Sequence, residues 1–158
     1  MEVTKSSRHS KITGDFCENL VLYLLSKYGF ECARVDHTGI DIIATNPKTK
    51  EVMGISVKGR SKTEKALGTY IGIPNDNFEK VDQACKAFNL VPYFAIVSDE
   101  QDKMHVFILS MEHLFNIFPK GNSIIAWKMT EPHLEKYNKD PKIMSFQTDH
   151  KLINWWND

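Results

Sequence analysis

Two short runs rich in β-branched residues, Ile40–Thr45 and Val52–Val57, are separated only by the polar stretch Asn46-Pro47-Lys48-Thr49-Lys50-Glu51. Branched side chains suit a pleated surface, and turn-forming residues between two such runs read as a hairpin. The hairpin constrains more than local structure. With its turn centred between Lys48 and Thr49, antiparallel pairing sets Asp41 opposite Ser56, and directly opposed side chains share a face about 5 Å apart. Alternation then puts Gly54, Ser56 and Lys58 on that face and Ile55 and Val57 on the other. A carboxylate and a lysine meet beside two small residues. A slip of one residue would separate them.

The remaining pattern supplies what such a hairpin needs to bury itself. From Asp15 to Tyr28, apolar residues fall on two adjacent helical ridges, Phe16-Leu20-Leu24-Tyr28 and Cys17-Val21-Leu25, a wide stripe of 3.6-residue period. Thr13 is the expected N-cap, and Gly29 stands where a glycine ends a helix. Cys32–Val35 reads as a short strand. Residues 60–74 read as irregular, with Gly68 and Gly72 among them. A second helix is expected over about Asp76–Asn89, with Phe78, Val81, Cys85 and Phe88 on one face. Pro92–Ser98 and Met104–Leu109 read as strands, 111–118 as a short helix and Ile124–Met129 as a further strand. Beyond Thr130 the pattern assigns nothing, although Trp155 and Trp156 imply a tail that docks or touches another copy. The expected class is α/β: a mixed sheet flanked by helices.

Composition sets the outer limits. The chain has 158 residues, 42% apolar and 25% charged, which fits one domain of ordinary globular type. Cys17, Cys32 and Cys85 form an odd set without metal-ligand spacing, so free thiols of a cytoplasmic protein are expected. The start is polar, no apolar run is long enough to span a bilayer, and no membrane association is expected. Lys and Arg number 20 against 20 Asp and Glu, which argues against a protein that coats nucleic acid by bulk charge. No phosphate-cradling Gly-rich loop or GxSxG elbow is present.

The chemistry-bearing residues gather around the hairpin. Glu18 sits at the edge of the helical stripe, where an acid can reach past the helix toward the sheet. Two carboxylates converging on one point suit a hard divalent cation, which takes oxygen ligands and keeps several waters. A lysine beside them can orient a water and offset charge building on a phosphate. Asp76-x-x-Glu79 at the second helix reads as a capping box. Lys58-Gly59-Arg60-Ser61-Lys62 is the strongest local basic run.

Gly14-x-x-x-Glu18, Gly39-Ile40-Asp41-Ile42-Ile43-Ala44 and Ser56-Val57-Lys58-Gly59-Arg60 together resemble the PD-(D/E)XK nuclease superfamily, in its Holliday-junction-resolvase-like and restriction-endonuclease-like branches. The resemblance covers about residues 10–110 and leaves about 111–158 as a C-terminal extension of the same single domain. It implies a restriction-endonuclease-like αβββαβ core and a metal-dependent endonuclease that hydrolyses phosphodiester bonds in DNA with Mg²⁺ or Mn²⁺. By the same resemblance Glu18 and Asp41 hold the metal, the Val57 carbonyl is a further ligand, Lys58 is the catalytic lysine, and Arg60 and Lys62 lie near the phosphate backbone. Members of these branches commonly act as dimers, which makes a homodimer an expectation here. Ser56 stands where the family usually has an acid or glutamine. Some restriction endonucleases with Ser-x-Lys take the acid from the following helix, where Glu79 is the candidate beside its capping reading. Gln83 matches a glutamine that some branches place near the site, or is a surface residue. The serine also leaves open a fold that no longer cuts and serves as a nucleic-acid- or protein-binding module.

Overall fold

The computed structural model describes residues 4–62 and 69–154. Helix α1 spans His9–Lys27, longer than the apolar stripe that marks it. Its first turns are polar, so no periodicity announces them. Thr13 is therefore an interior residue and not the N-cap: its hydroxyl donates back to the His9 carbonyl at 2.7 Å, and Arg8 occupies the cap position. The other end is as expected. Gly29 adopts φ +89°, the Phe30 amide donates to the Leu25 carbonyl and the Gly29 amide to that of Ser26. This pair of bonds closes a helix on a left-handed glycine.

Strands β1 (Glu31–His37), β2 (Ile40–Thr45) and β3 (Val52–Ser61) follow as antiparallel neighbours. The β2–β3 turn is organised by Asn46, whose Oδ1 accepts from the amides of Lys48 and Thr49. Its register pairs Ile42 with Ile55 and Thr45 with Val52, the alignment a turn centred between Lys48 and Thr49 demands. β4 (Tyr70–Pro74) lies within the stretch read as irregular, and its partner is the distant β7 (Ile124–Lys128). A strand whose only partner lies far along the chain leaves no hairpin signal. Helix α2 (Asn75–Phe88) leads to β5 (Val91–Asp99), which lies parallel to β3. β6 (Lys103–Ser110), α3 (Met111–Ile117), α4 (Glu131–Lys139) and β8 (Met144–Asp149) complete the chain. The main sheet is mixed and six-stranded, in the order β1-β2-β3-β5-β6-β8, and β4 and β7 form a separate pair. Gly68, Trp155 and Trp156 lie outside the described residues.

Each face of the sheet has its own core. Cys17, Val21 and Leu25 of α1 pack with Ile42, Ile55, Ala95 and Val106 on one face. Phe78, Val81 and Cys85 of α2 pack with Phe94, Ile96, Phe107 and Trp127 on the other. Burying such side chains fully stabilises by roughly 1.5–3 kcal/mol each. Two expectations fail at the margins of these cores. Phe88, read as part of the buried face of α2, is 52% exposed and meets the His37 ring edge-on. Of the two α1 ridges only Cys17-Val21-Leu25 is buried, because a single helix crosses the sheet there; Phe16 and Tyr28 stay about half exposed.

The β1–β2 turn is locked to α2 by close backbone approach. Gly39 has φ +100°, and a Cβ there would stand 2.4 Å from the Lys80 carbonyl oxygen. Gly39→Ala is expected to cost about 2–4 kcal/mol, from backbone strain plus overpacking. Gly14, inside α1 with nothing within 4 Å of an added Cβ, is the counter-case: Gly14→Ala should stabilise by about 0.5–1 kcal/mol. Urea unfolding of the two variants beside the wild type measures both values, with opposite signs predicted.

Candidate active site

The described ladder between β2 and β3 ends at Ile42–Ile55, one pair short of Asp41 and Ser56. β3 continues to Ser61 against β5 alone. At this parting of strands the Asp41 side chain takes over the backbone's role: its Oδ2 accepts the Val57 amide at 2.7 Å. A charge-assisted bond of this kind fixes the carboxylate more firmly than a neutral one. Among the described residues Oδ1 of Asp41 has no hydrogen-bond partner and is available to a ligand.

β3 alternates as its sequence requires. Ile55 and Val57 face α1, whereas an added Cβ at Gly54 would meet Cys85 of α2. Lys58 points the same way as Gly54, and its Nζ donates to Asn77 Oδ1 at 2.5 Å. Ser56 lies between them in the alternation and is buried. Asn77 in turn donates to Asp76, which is paired with Lys80 at 2.9 Å. Burial of Lys58 pushes its pKa below the ordinary lysine value; the carboxylates of Asp41 and Asp76 oppose that shift, and Lys80 and Arg60 add to it. Asn77 had no signal in the sequence. Its role depends on where the α2 N-terminus falls against β3.

The other expected residues distribute unevenly. Glu18 is bound to Arg34 of β1 by a short ion pair and lies on the α1 side, with no hydrogen bond to Asp41 or Lys58. Glu79 and Gln83 are exposed on α2. The capping box read from Asp76 and Glu79 does not form, because α2 starts at Asn75 with Pro74 at the cap position and no side-chain cap. Arg60 is exposed; Lys62 is half-buried and paired with Glu100 at 2.8 Å. The thiols are free. Burial, with Asp99 and Glu18 nearby, pushes Cys17 up to about 11, and burial with Asp82 does the same for Cys85. Neither is a thiolate nucleophile at neutral pH.

No group of three or more His, Cys, Asp or Glu side chains able to hold a metal occurs among the described residues. At the strand parting one carboxylate oxygen, Oδ1 of Asp41, is a donor of the kind a hard divalent cation takes. Asp41 offers one free carboxylate oxygen, and the partner that holds Glu18 is itself 41% exposed, so that ion pair is weak and exchangeable. A small hard cation needs only one or two protein carboxylates and keeps water in its other positions.

The fold has counterparts among solved structures. No family model and no curated protein sequence matches the chain. Its structure is similar to that of Archaeoglobus fulgidus Hjc, a Holliday junction resolvase from an archaeal hyperthermophile. The TM-score is 0.56 at 18% identity, covering 78% of this chain and 93% of that one. The fold is thus the one this resolvase has, restriction-endonuclease-like: a mixed sheet flanked by helices. No described helix is long and apolar enough to cross a membrane.

The buried lysine yields a pH prediction. With its folded-state pKa lowered, Lys58 loses its proton in the folded protein before it does in the unfolded chain. Wild-type stability relative to Lys58→Met should therefore rise as pH climbs toward the ordinary lysine value of 10.5, by at most about 1.4 kcal/mol per pH unit. Urea unfolding of both proteins at pH 7, 8.5 and 10 gives the difference. A constant difference would mean that Lys58 titrates alike in both states.

Proposed function

We propose that this protein is a metal-dependent nuclease that hydrolyses phosphodiester bonds in DNA, with Asp41 and Lys58 at its centre. The observation that carries the reading is the Asp41 carboxylate, fixed by the Val57 amide where β2 leaves β3, with its charge acting on the half-buried Lys58 ammonium. The fold shared with a resolvase supports the reaction class. Site residues come from this chain's own positions, because a shared fold does not carry function by itself.

In this reading Asp41 and the Val57 carbonyl hold a Mg²⁺ or Mn²⁺ ion, joined by Glu18 once it leaves Arg34. The ion would lower the pKa of a bound water and neutralise charge on the phosphate. Lys58, held at Nζ by Asn77, donates to the phosphate oxygen on which charge builds. Water adds to phosphorus and gives up a proton to solvent, the bond to the leaving oxygen breaks and that oxygen takes a proton from solvent, while the ammonium offsets the charge on the phosphate. Arg60, exposed just beyond, contacts the adjoining phosphate. Lys62 serves there less directly, since its ammonium is engaged with Glu100.

One pair of observations favours a second reading. Ser56 is buried in place of an acid, and Glu18 is committed to Arg34. A site with a single placed carboxylate is what a fold that binds nucleic acid without cutting would retain.

Incubation with branched, duplex and single-stranded DNA in Mg²⁺ or Mn²⁺ separates the two. Cleavage is expected, reduced about 100-fold or more in Lys58→Ala and in Asp41→Asn, in line with loss of a group that stabilises transition-state charge. Glu18→Gln should cost less than either. DNA retained in a gel shift without cleavage in either metal would establish the binding module instead.

A further inference from the structure

The charge balance of the whole chain, 20 Lys and Arg against 20 Asp and Glu, is not kept along it. From Thr4 to Gly14 stand Lys5, Arg8 and Lys11 with no acid between them. The fold carries this segment to the candidate site. The Lys5 ammonium donates to the Ser61 carbonyl at the end of β3, the strand that bears Lys58 and Arg60. A Cβ at Gly59 would strike the Cys17 sulfur and stand 4.0 Å from the Thr13 carbonyl oxygen, so the first turns of α1 run over the same end of the strand. Acids at this end carry partners of their own. Glu100 is paired with Lys62 at 2.8 Å, and Asp99 accepts the Ser61 hydroxyl at 3.0 Å. Glu18 is held by Arg34, and Asp15 lies 3.4 Å from Lys11. Arg8 and Arg60 are exposed and have no acidic partner among the described residues.

We propose that Lys5 and Arg8 extend the candidate site into a cationic track, along which the phosphates of a DNA strand continue past Arg60 and over the start of α1. This deepens the nuclease reading and rests only on its nucleic-acid half. A track needs cations in series at about the spacing of phosphates. From Lys58 to Ser61 the steps of an extended strand cover about 10 Å, and successive phosphates of one DNA strand advance about 3.4 Å along a duplex. Lys5 therefore stands about three nucleotides from Lys58, and Arg8 lies farther along. The bond to Ser61 uses one of the ammonium's donors and holds the cation at the strand end, leaving the others for a phosphate. Arg8 offers a planar fork of donors that matches phosphate oxygens. Contacts of this kind fix a strand's register and carry no sequence information. The substrate they suit is a strand that continues at least about three nucleotides to this side of the attacked bond. In a chain without net charge, a row of cations attracts a polyanion locally. Because the row begins at Lys58 and Arg60, its polyanion is the strand those residues hold.

Fluorescence anisotropy of a labelled DNA duplex in EDTA reads binding without cutting. Measured over a range of salt, the steepness of log K against log salt is expected to fall by about 2 in Lys5→Gln/Arg8→Gln. In Arg8→Gln alone, where no internal contact is lost, it should fall by about 1. Lys86→Gln/Lys139→Gln removes the same charge from exposed positions on α2 and α4 and should leave the steepness of the wild type. Equal steepness in every protein, or an equal fall in the remote pair, would overturn the track and leave the nuclease reading standing. A wild type that does not bind the duplex, or that binds phosphatidylserine vesicles in its place, would overturn it as well. The predicted falls in a protein that cuts no DNA in Mg²⁺ or Mn²⁺ would uphold the track and reject the nuclease reading.

Discussion

The bond from the Val57 amide to the Asp41 carboxylate holds the candidate site together. Where two antiparallel strands separate, backbone donors on the inner edge lose their partners, and an unsatisfied buried amide costs on the order of 1–3 kcal/mol. Asp41 meets that need with a side chain. One interaction therefore does two things: it satisfies the strand edge and holds a negative charge beside Lys58. Gly39 anchors the same turn to α2 through its close approach to Lys80, and Asn77 of α2 takes the Lys58 ammonium. Position at the site comes from the sheet on one side and from α2 on the other.

The hairpin was the most legible part of the sequence. Its register follows from loop symmetry and β-branched content, and the described pairs keep it from Ile42–Ile55 to Thr45–Val52. What the sequence did not disclose is that the ladder stops before Asp41, because strand divergence depends on what lies beyond the pair. The helices were legible in their apolar faces and obscure at their starts. Thr13 and Asp76 looked like caps, yet α1 begins in a polar turn and α2 directly after Pro74. β4 and β8 escaped for a different reason. Each pairs with a strand far off in sequence or follows a helix of low apolar content, so neither carries a local signal. Glu18 is the instructive case within the site, since nothing in its helical spacing reveals that Arg34 of β1 lies within reach.

The likeness to an archaeal resolvase is one of architecture, at 18% identity. Around Lys58 this chain places a buried serine, an asparagine that takes the ammonium, and an Asp76–Lys80 pair. With a net charge of zero the chain has no bulk positive field, and exposed cations such as Arg60 act only locally.

We propose Asp41 and the Val57 carbonyl as a cation site beside Lys58. Substoichiometric Mn²⁺ added to ¹⁵N-labelled protein tests it directly, since the ion broadens amide signals according to their distance from it. The account predicts selective loss of the Asp41, Val57 and Lys58 signals, reversed by excess Mg²⁺ and absent in Asp41→Asn. Broadening centred elsewhere, or none beyond that of exposed acids on the surface, would contradict it.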